Sequence, residues 1–199
     1  MIEISYQNQN GVSPTDCERA TLEHGEQSLK LVEPSAAWTN AFMDMARDFA
    51  SAGEHRYGPA ARDVAAYVRS IDERRRGEHL PEGWVPGTEF WLEDRSAIIA
   101  CARLRFELTP ALEHEGGHIG YDVRPSMRWQ GYGTALLRLV LREAGAHGIQ
   151  RVRMTCDDDN IGSIKIIERN GGMIAGAGTS RASGKPLRQY WIALAGRLS

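Results

Sequence analysis

Between residues 124 and 134 the chain reads Arg-Pro-Ser-Met-Arg-Trp-Gln-Gly-Tyr-Gly-Thr, and no other stretch constrains the fold as tightly. Ahead of it, His118 to Val123 reads as a short strand, which Pro125 closes because proline has no N–H to give a ladder. Behind it, Leu136, Leu137, Val140, Leu141 and Ala144 recur at helical spacing and predict a helix from about residue 133 to 146. The N-terminus of that helix must therefore sit just beyond the end of the strand. Its first N–H groups are unpaired and its dipole is positive there, which suits a phosphate. Gly131 and Gly133 remove side chains that would hold a diphosphate away, Arg128 offers a charge-assisted bond and Thr134 a hydroxyl. A tight strand-to-helix turn would also account for an isolated Gly-x-Gly. A Rossmann loop fits worse, since its third glycine would fall at Leu136, and no Gly-Lys-Ser/Thr follows to make a Walker loop.

The rest of the chain reads as a mixed α/β protein. Residues 1–28 are polar and aperiodic and are expected to form an arm, with one edge strand over Ile2–Tyr6; residues 29–199 are expected to form a single domain. Leu29 to Val32 is strand-like, and Ser35 is placed to cap a helix carrying Trp38, Phe42, Met45 and Phe49, ended by Gly53. A second helix carries Val64, Tyr67, Val68 and Ile71 and stops at Gly77. Residues 80–87, with two prolines and two glycines, form a loop. Thr88–Glu93 and Ala97–Phe106 predict a hairpin, and residues 110–116 a loop. A strand through Val152, Met154 and Cys156, a helix from Asn160 to Asn170 with Ile161, Ile164 and Ile167 buried, and strands over 173–177 and 188–194 complete the series.

A net charge of −2 without any long Lys/Arg run gives no electrostatic reason to expect nucleic acid or an anionic membrane as partner. Cys17, Cys101 and Cys156 are too far apart for a disulfide framework or a zinc site, so no metal is expected. With neither a leader pattern nor 18 consecutive apolar residues, the cytoplasm is the expected compartment.

Tyr121-x-Val123-x-Pro125-x-x-Arg128-x-x-Gly131-x-Gly133 resembles the signature of the GNAT superfamily of N-acetyltransferases. The order of elements over residues 29–194 resembles it too, and Asn160, Ser163 and Gly171 match a second family motif. The likeness of residues 80–87, 116–121 and 156–163 is to a bacterial subgroup known mainly as predicted acetyltransferases. The resemblance implies a central, mostly antiparallel mixed sheet flanked by helices. It implies acetyl-CoA as cosubstrate, with the pantetheine arm along the signature strand near Val123. Arg128, Trp129, Gln130, Gly131, Tyr132, Gly133 and Thr134 would then hold the pyrophosphate, and Asn160 and Ser163 would lie near pantetheine or phosphate. As an alternative role, Asn160 is placed to cap its helix, as is Asp159.

The implied reaction is acetyl transfer to the primary amine of a small molecule, by direct attack in a ternary complex of a monomer or homodimer. A backbone N–H at Val123 or its neighbour would stabilise the oxyanion. The tyrosine that many relatives use as proton donor is replaced by Ile167, and Gly117 and Ile119 stand where others place a Glu or His. Glu115, His118 and Tyr121 are left as candidate proton carriers, with Glu107 reachable from the preceding strand and His118 nearest neutrality in its ordinary pKa. A structural histidine bonded to a neighbouring strand is the plainer reading of His118. A non-catalytic acyl-CoA sensor, or an acetyltransferase acting on protein N-termini or lysines, are the alternatives.

Overall fold

The computed structural model describes residues 29–181 and 183–194; the arm with its expected Ile2–Tyr6 strand lies outside them. Four strands, β1 (Lys30–Val32), β2 (Gly87–Asp94), β3 (Ala97–Arg105) and β4 (Ile119–Val123), form one antiparallel sheet in that order. β5 (Arg151–Asp157), β6 (Met173–Thr179) and β7 (Pro186–Ala193) form a second antiparallel sheet in the order β5-β7-β6. The expected central sheet is thus split between β4 and β5.

The helices are α1 (Thr39–Ser51), α2 (Gly58–Arg62), α3 (Val64–Arg76), α4 (Pro110–His114), α5 (Tyr132–Ala146) and α6 (Ile161–Arg169). Ser35 makes no side-chain cap; a short 3-10 turn over Ala36–Trp38 leads into α1 instead. Residues 110–114, expected as loop, form a helical turn because Thr109 accepts from the Leu112 amide and Pro110 stands at its first position. The hairpin turns at Arg95 and Ser96, both with positive φ, as a two-residue β-turn matched to strand twist requires.

Helices cover both faces of the four-stranded sheet. On one, Leu136, Leu137, Val140 and Ala144 of α5 pack in a cluster with Ala100, Ala102 and Leu104 of β3, joined by Ile164 and Ile167 of α6. Ile161, expected in that stripe, is 50% exposed at the start of α6. On the other face, Phe42, Met45 and Phe49 of α1 close over Trp91, Ile98 and Cys101. The Phe42 and Trp91 rings stack with centroids 4.6 Å apart. Trp91 is core, whereas Trp84, in the loop after α3, is exposed.

Candidate functional site

The split between the sheets follows from how β4 meets β5. The His118 amide donates to the Arg153 carbonyl at 2.8 Å, and the Arg153 amide donates back to His118 Nδ1 at 2.9 Å. Beyond that point β4 is the edge of its sheet. Its even-numbered residues face β3, as the Arg105 N–H to His118 carbonyl and Arg124 N–H to Ile99 carbonyl bonds show at either end. The main-chain groups of Ile119, Tyr121 and Val123 therefore point into the gap. An extended chain carrying amides can pair with such an edge as an added strand does.

Gly117 belongs to this joint. Its φ is +61°, and an added Cβ would lie 2.3 Å from the Arg153 carbonyl oxygen, so no side chain can stand there. The crossing of chain between α4 and β4 thus excludes a titratable side chain at this point.

The loop from β4 to α5 is held from outside the gap. Asp48 of α1 accepts from Arg124 Nε at 2.9 Å, from the Ser126 amide at 3.2 Å and from Ser126 Oγ at 2.7 Å. Burial raises the Asp48 pKa, but the Ser126 and Arg124 bonds outweigh it and leave the carboxyl below its ordinary value. Arg128 donates through Nε to the Val123 carbonyl and meets both Glu54 oxygens, at 2.7 and 2.9 Å. The Arg128 bonds in turn hold the Glu54 pKa down. Arg128 was expected as a free charge for phosphate; its fork is instead spent on fixing the loop.

Gly131 caps α5 with φ +87°, and no side chain caps the helix. Thr134 and Ala135 donate to the Gly131 carbonyl, while the Tyr132 and Gly133 amides have no acceptor among the described residues. That is the free N–H pair an anion needs. Gly133 serves packing: a Cβ there would come within 2.5 Å of Ile166 Cδ1 on α6. Trp129 is 80% exposed, Gln130 Nε2 donates to the Ser126 carbonyl, and the Tyr132 hydroxyl donates to Asp94. Across the gap, Asn160 Oδ1 accepts from the Ser163 amide and so caps α6. Asp159, the other candidate cap, pairs with Lys185, and Asp158 with Arg188. No group of three or more His, Cys, Asp or Glu among the described residues could hold a metal.

The three proposed proton carriers are not equivalent. His118 Nδ1 is engaged by the Arg153 amide, which leaves the neutral ring's proton on Nε2 and no free lone pair; burial, then the nearby Arg105 charge, push its pKa down to about 4. Of the two readings of His118, candidate base and histidine bonded to a neighbouring strand, the bond from the Arg153 amide matches the second. Glu115 accepts from Ser180 Oγ at 2.6 Å and the Arg181 amide at 2.7 Å, anchoring the turn between β6 and β7. Tyr121 differs: its hydroxyl is buried beside Ser163 without a hydrogen bond of regular geometry, and burial raises its pKa although the nearby Ser163 side chain works the other way. Glu107 is exposed beyond the end of β3.

The opposite face of the sheet carries charges that spacing alone did not reveal. Glu89, fully buried, accepts from Trp91 Nε1 at 2.7 Å and from the Tyr67 hydroxyl at 2.8 Å. Asp122 of β4 binds Arg56, Arg103 and the Tyr57 hydroxyl. Strand alternation could have placed Glu89, Arg103 and Asp122 on one face, since they occupy paired or adjacent registers.

A model of the acetyltransferase (GNAT) family matches residues 33–172. Curated protein sequences contain no match. Among solved structures, the microcin self-immunity acetyltransferase MccE in complex with acetyl-CoA and AMP superposes with a TM-score of 0.64 at 13% identity, covering 84% of this chain and 93% of that one. RimL, a ribosomal-protein alpha-N-acetyltransferase in complex with coenzyme A, gives 0.63 at 14% identity over 84% and 94%. YncA of Salmonella typhimurium, with acetyl-CoA, gives 0.57 at 12% over 86% and 97%. At these identities the likeness is one of fold.

Proposed function

Because the chain belongs to the acetyltransferase (GNAT) family, we propose that it moves an acetyl group from acetyl-CoA to the primary amine of a small molecule by direct attack in a ternary complex. The observation that carries this reading is the continuity of unpaired main-chain donors: the odd-numbered edge of β4, then the Tyr132 and Gly133 amides at the start of α5. The first suits the amides of a pantetheine arm and the second a pyrophosphate. Gly131 and Thr134 complete the cradle, Trp129, Gln130 and Arg128 shape it, and Asn160 and Ser163 border it from α6.

Acetyl-CoA supplies an activated thioester. The chain's part is to place it: the Val123 amide, or its neighbour Tyr121's, is fixed where the carbonyl oxygen gains charge as the new C–N bond forms. As the C–S bond breaks, the Tyr121 hydroxyl has a proton to give the departing sulfur and is held in no hydrogen bond of regular geometry. The amine's proton leaves to water, since His118 and Glu115 are engaged elsewhere.

Thiol release from acetyl-CoA across a broad panel of amines tests the reading. Turnover of small amines is expected; coenzyme A binding without any turnover would favour a non-catalytic sensor. Coenzyme A should raise the melting temperature of the parent, and Gly131→Glu, which sets a carboxylate against the diphosphate, should abolish most of that rise.

A further inference from the structure

On the α3 face of the sheet a cavity of about 290 Å³ opens between the loop before β2 and the end of β3, with Arg74, Trp84, Gly87, Arg103, Arg105 and Leu112 in its wall. Gly87 lies opposite Arg105 in the β2–β3 register, and Gly120 of β4 lies opposite Arg103. Gly120 has no side chain to fill the face beside Arg103, where an added Cβ would meet nothing nearer than Arg103 Nε at 4.0 Å, whereas farther along the same face Trp91 and Cys101 fill it. Arg105 links the cavity to the joint of the two sheets, for its Nη1 donates to the Gly117 carbonyl at 3.0 Å.

Three guanidinium groups therefore border one small space, and they are unequally satisfied. Arg103 is paired with Asp122. Arg74 stands 3.9 Å from Glu89, within ion-pair reach but beyond hydrogen-bonding range, and its buried Nη2 makes no hydrogen bond. Arg105 bonds only main-chain carbonyls among the described residues, with no carboxylate to balance it. Burial, then repulsion from Arg103 and Arg74, weaken its hold on its proton. A buried guanidinium left without a counter-charge is costly, and a carboxylate or phosphate is the group whose oxygens match its fork.

We propose that this cavity receives an oxyanion, carboxylate or phosphate, borne by the amine acceptor itself, with Arg74 and Arg105 as its ligands. The inference rests on the acetyl-transfer reading for the position of the amine, and on the cavity alone for the anion. The substrate class is then an amino acid or an aminoalkyl phosphate, its amine turned toward the gap between β4 and β5. Trp84, whose ring lies 5.9 Å from the Arg74 guanidinium, forms the outer wall against the acceptor's carbon skeleton.

The test uses matched pairs: amino acids against their amides, and aminoalkyl phosphates against the parent amino alcohols. The anionic member of the preferred pair should show a KM at least about 10-fold lower. Arg74→Gln should erase that difference while leaving the KM for acetyl-CoA unchanged, and Arg105→Gln serves as second variant if Arg74→Gln lowers the melting temperature. N-acetyl amino acids and their amides, added with coenzyme A, give a binding readout that needs no turnover: the acids should stabilise the parent and not Arg74→Gln. Turnover with equal KM values and equal stabilisation within every pair would overturn the anion site and leave acetyl transfer intact. Arg74-dependent stabilisation by acids without turnover of any amine would uphold the anion site and overturn the transfer reading. Neither turnover nor stabilisation would overturn both.

Discussion

In the proposed mechanism the chemistry turns on Tyr121. A buried hydroxyl with no hydrogen bond of regular geometry costs stability, so removing it should be neutral or stabilising, whereas a proton donor's loss should slow the reaction. Tyr121→Phe is expected to keep or raise the melting temperature and to lower kcat by about 10-fold or more. An unchanged kcat would leave the hydroxyl without a role. His118 gives the opposite pattern. Its folded pKa of about 4 lies below the ordinary 6.5, so the folded state favours the neutral ring. The stability this contributes is present above pH 6.5 and is lost as pH falls toward 4. His118→Asn keeps an acceptor for the Arg153 amide without titrating. The stability difference between parent and variant should be flat above pH 6.5 and shift steadily below it, as denaturant titrations at several pH values would show; activity should not follow that curve.

At the scale of elements, the tie between α1 and the loop ahead of α5 decides how firmly the cradle is held. Asp48 accepts three hydrogen bonds there, all from groups of the loop itself. Asp48→Asn is expected to cost about 1–2 kcal/mol at pH 7, from the loss of a charge-assisted set. Because the folded Asp48 pKa lies below its unfolded value, that stability is present above the unfolded pKa and lost as pH falls through the folded one. The gap between parent and variant should therefore close in acid, in urea titrations from pH 7 to 3. The helices and strands were legible because their periodicities are strong: α5 runs over Tyr132–Ala146 and the hairpin over Gly87–Asp94 and Ala97–Arg105, within a residue or two of expectation. The short helix at Pro110–His114 was not, because five residues hold too little pattern to separate a helical turn from a loop. The packing reason for Gly133 was not legible, since only the packed structure shows Ile166 against it.

For the whole molecule, the consequential feature is the parting of two sheets beyond the main-chain joint at His118 and Arg153. One side of the parted edge leads to the start of α5, and the other face of the same sheet leads to the arginine-bordered cavity. The donor side was readable from a contiguous stretch of sequence, residues 121 to 134. The cavity side was not, for Arg74, Arg103 and Arg105 meet only when α3 packs across the β2–β3 hairpin. Among the described residues no helix is long and apolar enough to cross a membrane.

The central claim is that one line of unpaired amides, from the β4 edge to the start of α5, holds the acyl donor. A crystal structure with coenzyme A bound tests it most directly. The account predicts pyrophosphate oxygens within hydrogen-bonding distance of the Tyr132 and Gly133 amides, and pantetheine amides paired with the main chain of Ile119, Tyr121 and Val123. A cofactor lodged elsewhere, with those amides still facing solvent, would contradict it.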